Sequence, residues 1–179
     1  MRRNTLIAAC AICALAACSQ GALTSSSMAP TAKVASAAIQ GNVCDRKLLT
    51  LGDVAGILDQ PVTGTKPLQG DPQTCYFISA NNDQGGPELR ITLRPGHGRA
   101  ALESFTSGKM NAYATWKPLA GVGDEAVWLP DLHEIDARKG NTLCVVGAPM
   151  FMSNALRDAG EAAQQQRLGA LCNKVFSAL

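Results

Sequence analysis

Apolar and polar positions divide this chain into three regimes. From Leu6 to Leu15 the side chains are apolar without interruption, and Arg2 and Arg3 precede them. From Ser19 to Asn42 there is no apolar periodicity, a single charge at Lys33 and an excess of Ser, Ala and Thr, which is the composition of a flexible coil. From Val43 onward the pattern is that of a folded domain. Leu51, Val54, Ile57 and Leu58 share one face of a helix that Thr50 caps, Asp53 closes as a capping box and Pro61 ends. Gly64 to Pro72 reads as a loop. Cys75 to Ser79 and Glu88 to Arg94 predict two strands joined by the polar turn Asn81 to Pro87, and the second alternates apolar with polar side chains, so the hairpin has one wet face.

Arg99 to Asn111 predicts a second helix with Leu102 and Phe105 inward and Gly108 weakening its end. Ala114 to Lys117 reads as extended chain before Pro118. Glu125 to Leu129, Leu132 to Arg138 and Thr142 to Val146 predict three more strands, the last two joined by Lys139-Gly140-Asn141, which suits a tight hairpin. Asn154 to Leu179 predicts the longest helix. Leu156, Ala163, Leu168, Leu171, Val175, Phe176 and Leu179 follow its spacing, the Gln164-Gln165-Gln166 run includes its solvent side, and Gly160 and Gly169 let it lie close to a flat neighbour. The expected fold is α+β, an antiparallel sheet of about five strands with an N-terminal helix and a long C-terminal helix packed on it.

The apolar run Leu6 to Leu15 is too short to span a bilayer, which takes ~20 residues, but suits a signal-peptide core of ~7–15. It ends in Leu15-Ala16-Ala17-Cys18, which resembles the processing site of a bacterial lipoprotein. Cys10 lacks an apolar core in front of it, and Cys13 follows the bulky Ile12. The resemblance implies cleavage before Cys18, a diacylglyceryl thioether on its sulfur and usually an acylated amine. At ~0.8 kcal/mol per buried CH2, several acyl chains make a lasting membrane anchor. The organisation expected is a signal peptide over 1–17, a lipidated Cys18 with its tether over 18–42, and one globular domain over 43–179. A coil of that length reaches about 25–30 Å. Ser19 is not the Asp that, by the same resemblance, retains lipoproteins in an inner membrane. In a cell with two membranes the outer one, facing the periplasm, is therefore favoured. Cys10-Ala11-Ile12-Cys13 then lies in the discarded segment and carries no redox reading.

Charge and cysteine content change the picture in two ways. Losing Arg2 and Arg3 lowers the basic count from 16 to 14 against 14 acids, so the net charge falls from +2 to zero and no argument for nucleic acid remains. Cys44, Cys75, Cys144 and Cys172 are an even set in an exported chain and read as two disulfides. If the strand through Cys144 runs on to Met152 it rises about 26 Å, and a helix returning from there reaches Cys172 after about 27–30 Å. That favours Cys144–Cys172 with Cys44–Cys75, although Cys44–Cys172 with Cys75–Cys144 is also buildable. No metal-ligand spacing is present, and no cofactor is expected.

Candidate chemistry is sparse. Gly121-Val122-Gly123 precedes Asp124 and Glu125 but lacks the third Gly or the Lys-Ser/Thr of a phosphate loop, so it reads as a tight turn feeding a strand. Arg90 and Arg94 are four apart on one strand, hence on one face, and suit a carboxylate or phosphate. His97, flanked by glycines, is free to reach a ligand. Arg90, Arg94, His97, Asp124 and Glu125 are the candidate contacts, and no catalytic serine, zinc or glycosidase motif is present. Together, Leu48-Leu49-Thr50 with Asp53-Val54, Cys75-Tyr76, the Gly121 to Ala126 stretch and the terminal helix resemble a broad group of small bacterial envelope lipoproteins. That resemblance implies an α+β layer fold similar to the PsbP-like arrangement, and a non-enzymatic binding role toward an envelope protein. An inhibitor or immunity protein for a toxin or cell-wall hydrolase is its sharper form. The alternatives are a lipophilic carrier with a cavity between sheet and terminal helix, and a hydrolase using His97 or His133 with Asp124, Glu125 or Asp131.

Overall fold

The alternation Leu89-Arg90-Ile91-Thr92-Leu93-Arg94 produces a strand with two unlike faces, and the sheet is assembled around it. A computed structural model describes residues 41–80, 89–108, 115–148, 156 and 158–179, all within one compact unit, Ala35–Leu179. The expected signal peptide, the lipid site Cys18 and nearly all of the tether lie outside the described residues. Strands β1 (Val62–Leu68), β2 (Asp71–Ser79), β3 (Leu89–Pro95), β4 (Lys117–Leu119), β5 (Glu125–Leu129), β6 (Glu134–Lys139) and β7 (Thr142–Gly147) form one sheet. Its order is β1-β2-β3-β7-β6-β5-β4, and every neighbouring pair is antiparallel.

The sheet therefore has seven strands rather than about five. The additional two are its edges. β1 overlaps the stretch Gly64 to Pro72 expected to be a loop, and β4 starts at Lys117, the last residue of the expected extended segment. An edge strand is paired on one side and largely exposed, as β1 is, so its sequence Val-Thr-Gly-Thr-Lys-Pro-Leu carries no burial alternation. Pro67 is tolerated there because its missing N–H removes no bond from a central ladder. Irregular pairing at Val62/Gly64 and Pro67/Leu68 blunts this edge against other strands.

On one face, Leu89, Ile91 and Leu93 of β3 join Cys75 and Phe77 of β2, Cys144 and Val146 of β7, Ile135 and Ala137 of β6, and Ala126 and Trp128 of β5. Helices α1 (Leu51–Leu58) and α3 (Glu161–Ser177) cover this face. Helix α1 starts as expected: Thr50 Oγ1 accepts from the Asp53 N–H at 3.1 Å, and Asp53 Oδ2 accepts from the Thr50 N–H at 2.8 Å. Val54 and Leu58 are buried, but Leu51 stays outside. Asp53 Oδ1 also accepts from Lys174 Nζ of α3 at 2.5 Å, and this bond leads the causes that hold its carboxyl below the usual range.

Helix α3 buries Leu168, Leu171, Cys172, Val175 and Phe176 against β6 and β7. Gln164 also turns inward, where its Oε1 lies 2.9 Å from His133 Nδ1, so the glutamine run is only partly a solvent face. Gly169 permits close approach as expected, since a Cβ there would meet Val122 Cγ2 at 2.7 Å. Gly160 has no such neighbour and instead begins the helix at φ 78°. The disulfide Cys44–Cys75 forms as anticipated and ties the short 3-10 helix Val43–Arg46 to β2. Closing a 31-residue separation restricts the unfolded chain by about 3–4 kcal/mol in the chain-entropy account.

The opposite face is covered only in part. Helix α2 (Gly98–Thr106) packs Leu102 and Phe105 on Val127, Leu129, Leu143 and Val145. That second cover explains why β5 and β7 read as nearly continuous apolar runs, because each is buried on both sides. β2 and β3 lie beside α2 rather than beneath it, and their second faces stay polar.

The Gly121 to Glu125 stretch is a turn, as its sequence suggests. Asn173 of α3 clamps it: Oδ1 accepts from the Gly123 N–H at 3.0 Å, and Nδ2 donates to the Gly121 carbonyl at 2.8 Å. Gly123 has φ 58°, and a Cβ there would overlap the Arg138 carbonyl oxygen and sit 2.9 Å from Phe176 Cε2. Gly123→Ala is expected to lower stability by at least ~2 kcal/mol, through left-handed backbone strain added to overpacking. Chemical denaturation with an unchanged slope is the check, whereas Gly121→Ala, with open space around its Cβ, should lose less.

Candidate functional site

The partly covered face carries a trough of about 530 Å³ between α2 and the β1–β2 edge. Register explains its lining. Tyr76, Arg90, Gly147 and Glu134 form one cross-strand row over β2, β3, β7 and β6. Thr74, Thr92, Val145 and Asp136 form the next, and Arg94, Leu143 and Arg138 the third. Gly147 separates Arg90 from Glu134 without a side chain, which lets Arg90 Nη2 reach across β7 and donate to Glu134 Oε2. A Cβ at Gly147 would sit 2.7 Å from that oxygen.

At the other end, Arg94 Nη2 pairs with Asp71 Oδ2 at 3.2 Å. Asp71 also accepts from the Thr74 hydroxyl at 2.8 Å and from the Gln73 N–H at 3.0 Å. Thr74 and Thr92 hydroxyls lie 2.8 Å apart in the middle. His97, Ala100 and Ala101 of the α2 segment and Leu143 and Val145 of β7 complete the wall.

Behind Glu134 on the same face of β6 stands Asp136. It is 8% exposed, and its Oδ1 has no hydrogen-bond partner. Burial pushes its carboxyl well above the usual range, and the neighbouring charge of Glu134 and a hydrogen bond to it add to the effect. Arg90 opposes the shift. Burial thus favours the protonated form of Asp136, and two carboxyl groups sit beside one guanidinium.

Of the five expected contacts, Arg90, Arg94 and His97 line this trough together, and Asp124 and Glu125 do not. Asp124 Oδ2 accepts from the Gly140 N–H at 2.7 Å, and Glu125 Oε2 accepts from Arg138 Nε at 2.9 Å. Both fasten the β6–β7 turn to the start of β5, because Glu125 pairs with Arg138 across the ladder. The hydrolase constellation is likewise dispersed. His133 sits against Gln164 and the edge of Trp128, 6.3 Å between ring centroids. Asp131 accepts from the Thr115 N–H at 3.1 Å, the main cause of its lowered carboxyl. Among the described residues no group of three or more His, Cys, Asp and Glu is placed to hold a metal.

Asp71, Thr74, Thr92, Glu134 and Asp136 are the site residues that sequence reasoning passed over. A signal existed for two of them, since Glu134 and Asp136 are two apart in an expected strand and must share a face. Their meeting with Arg90 depends on β7 lying between β3 and β6, which no local pattern reveals. No protein-family model, no curated protein and no solved structure matches this chain, so the PsbP-like arrangement has no solved neighbour behind it.

The raised carboxyl of Asp136 has a consequence for stability. Below an unfolded-state value of ~3.9 both states hold the proton; above it the unfolded chain ionises while the folded one keeps the proton, so stability falls as pH rises. Asp136→Asn removes that loss while keeping a donor toward Glu134. Thermal unfolding should show the variant above wild type at pH 8, with the gain shrinking toward pH 4. An equal offset at every pH would be incompatible with a retained proton.

Proposed function

We propose that this chain is a lipid-anchored, non-enzymatic binding module of the cell envelope, held by a diacylglyceryl group on Cys18 and meeting its partner through the trough beside α2. The observation that carries the contact site is the convergence of Arg90, Arg94 and His97 with two hydroxyls and two carboxylates in one open depression. Such a depression, apolar on one wall and bearing a few oriented polar groups on its floor, has the character of a recognition site. The anchor rests on Leu15-Ala16-Ala17-Cys18 and on the arginine-led apolar run before it. Among the described residues no helix is long and apolar enough to cross a membrane.

The carrier reading gains less support. The layer between sheet and α3 is occupied by Leu168, Leu171, Cys172 and Val175, and a space of about 20 Å³ near Cys44 and Phe77 admits roughly one water. An inhibitor or immunity role remains the sharper form of the binding reading, in which an acidic or basic side chain of the partner enters the trough.

The same envelope address bears on Cys144 and Cys172. The structure carries one of the two expected disulfides: the Cys144 and Cys172 sulfurs lie 3.0 Å apart in the core as free thiols, and burial leads the causes that push the Cys172 thiol well up, which makes it a poor nucleophile. In an oxidising compartment they close into the second disulfide and fasten α3 to β7. Alkylation of the denatured, unreduced protein should then find no free thiol beyond residue 18; two alkylated cysteines would refute the bridge.

Labelled palmitate should enter the wild-type protein and not the Cys18→Ala variant, which should leave the membrane fraction. Crosslinking in intact envelopes should recover one stoichiometric protein partner, and Arg94→Glu should reduce that recovery at least tenfold. Failure to label removes the anchor, and undiminished capture by the variant removes the contact site.

A further inference from the structure

Resting on the reading of the trough as the contact site, we propose that it holds a short peptide with free amino and carboxyl ends, about four residues long. Both ends of the trough carry both signs of charge: Arg94 with Asp71 at one, Arg90 with Glu134 at the other. A bare anion would displace a carboxylate, and a bare cation would displace a guanidinium. Either would engage one end of the trough and leave the other unused. A ligand carrying one charge of each sign finds a counter-charge at both.

Length follows from the strand. Arg90 and Arg94 are four residues apart on β3, hence ~13 Å at ~3.3 Å per residue. An extended peptide rises ~3.3–3.6 Å per residue, so about four residues separate its termini by that distance. Between the ends the floor is formed by Thr74 and Thr92, whose buried hydroxyls bond each other, and Leu143 and Val145 form an apolar wall for small side chains.

Orientation follows from what each end has to spare. The Arg94 side chain is 47% exposed, and His97 stands beside it in the lining. If a peptide carboxylate takes Arg94, Asp71 still accepts from Thr74 and the Gln73 N–H, so it is not stranded. At the other end the Glu134 carboxylate lines the trough beside Arg90 and is the group there that suits an ammonium. The peptide therefore lies with its carboxyl end at Arg94 and its amino end at Glu134.

Calorimetric titration of the protein, purified as the cell makes it, with tetra-L-alanine tests this. Binding is expected, with at least a tenfold loss on N-acetylation, on C-amidation and on shortening to single alanine. Arg94→Gln should abolish the difference between free and amidated ends, and Glu134→Gln that between free and acetylated ends. Equal binding of free and capped peptides, or no binding at millimolar concentration, overturns the inference. Ala100→Trp, an exposed substitution on the trough wall, separates this from the parent reading. If it abolishes envelope crosslinking while tetra-alanine fails to bind, the contact site stands and the peptide falls. If crosslinking is unchanged, the contact site itself falls.

Discussion

The pairing of β3 with β7 is the constraint on which the molecule depends. Strands β1 to β3 and strands β4 to β7 are each successive antiparallel neighbours that form from nearby sequence, and the β3–β7 ladder alone joins the two sets. It makes the apolar face continuous, so that Leu93 lies opposite Cys144 and Ile91 opposite Val146. The same register sets Arg90 opposite Gly147 and, one strand further, Glu134. A slip of one residue would turn all of these side chains to the wrong layer.

The two faces divide the work between them. On the α1 and α3 side, fully buried Val54, Leu58, Leu93, Ile135, Val146, Leu168 and Val175 make a core of the kind in which each large side chain contributes ~1.5–3 kcal/mol. The Cys44–Cys75 bridge fastens the beginning of the domain to that layer. On the other side α2 packs on β5 to β7, and beside it β2 and β3 form the floor of the trough, with Arg90 and Arg94 partly exposed and Thr74 and Thr92 buried. A second helix as long as α3 would have closed this face and left no trough. The trough exists because the cover is incomplete.

The trough is stabilised little by its ion pairs, since the Arg90, Arg94 and Asp71 side chains remain substantially exposed. Weak internal pairing lets an incoming charged group exchange one screened pair for another at small cost. Asp136 is the exception. Its buried carboxyl lacks a partner for one oxygen and is pushed well above the usual range by burial, a pattern more often seen at sites with a task than in a core.

Sequence by itself determined the local elements and their chemistry. The Thr50–Asp53 capping box, the turn at Gly140, the alternation in β3 and the helical face of Leu168 to Phe176 were all legible, because each depends on neighbours or on a period, whereas the Cys44–Cys75 pairing, 31 residues apart, was one of two left open. So was the placing of Arg90 and Arg94 on one face. The edge strands β1 and β4 were not, since a strand paired on one side need show no alternation. Nor was the separation of Asp124 and Glu125 from the other candidates, because Arg138 claims them only across a ladder. Tertiary structure decided which strand lies beside which, and so placed Glu134 and Asp136 within reach of Arg90; strand order is set by packing of whole faces, and no local pattern encodes it.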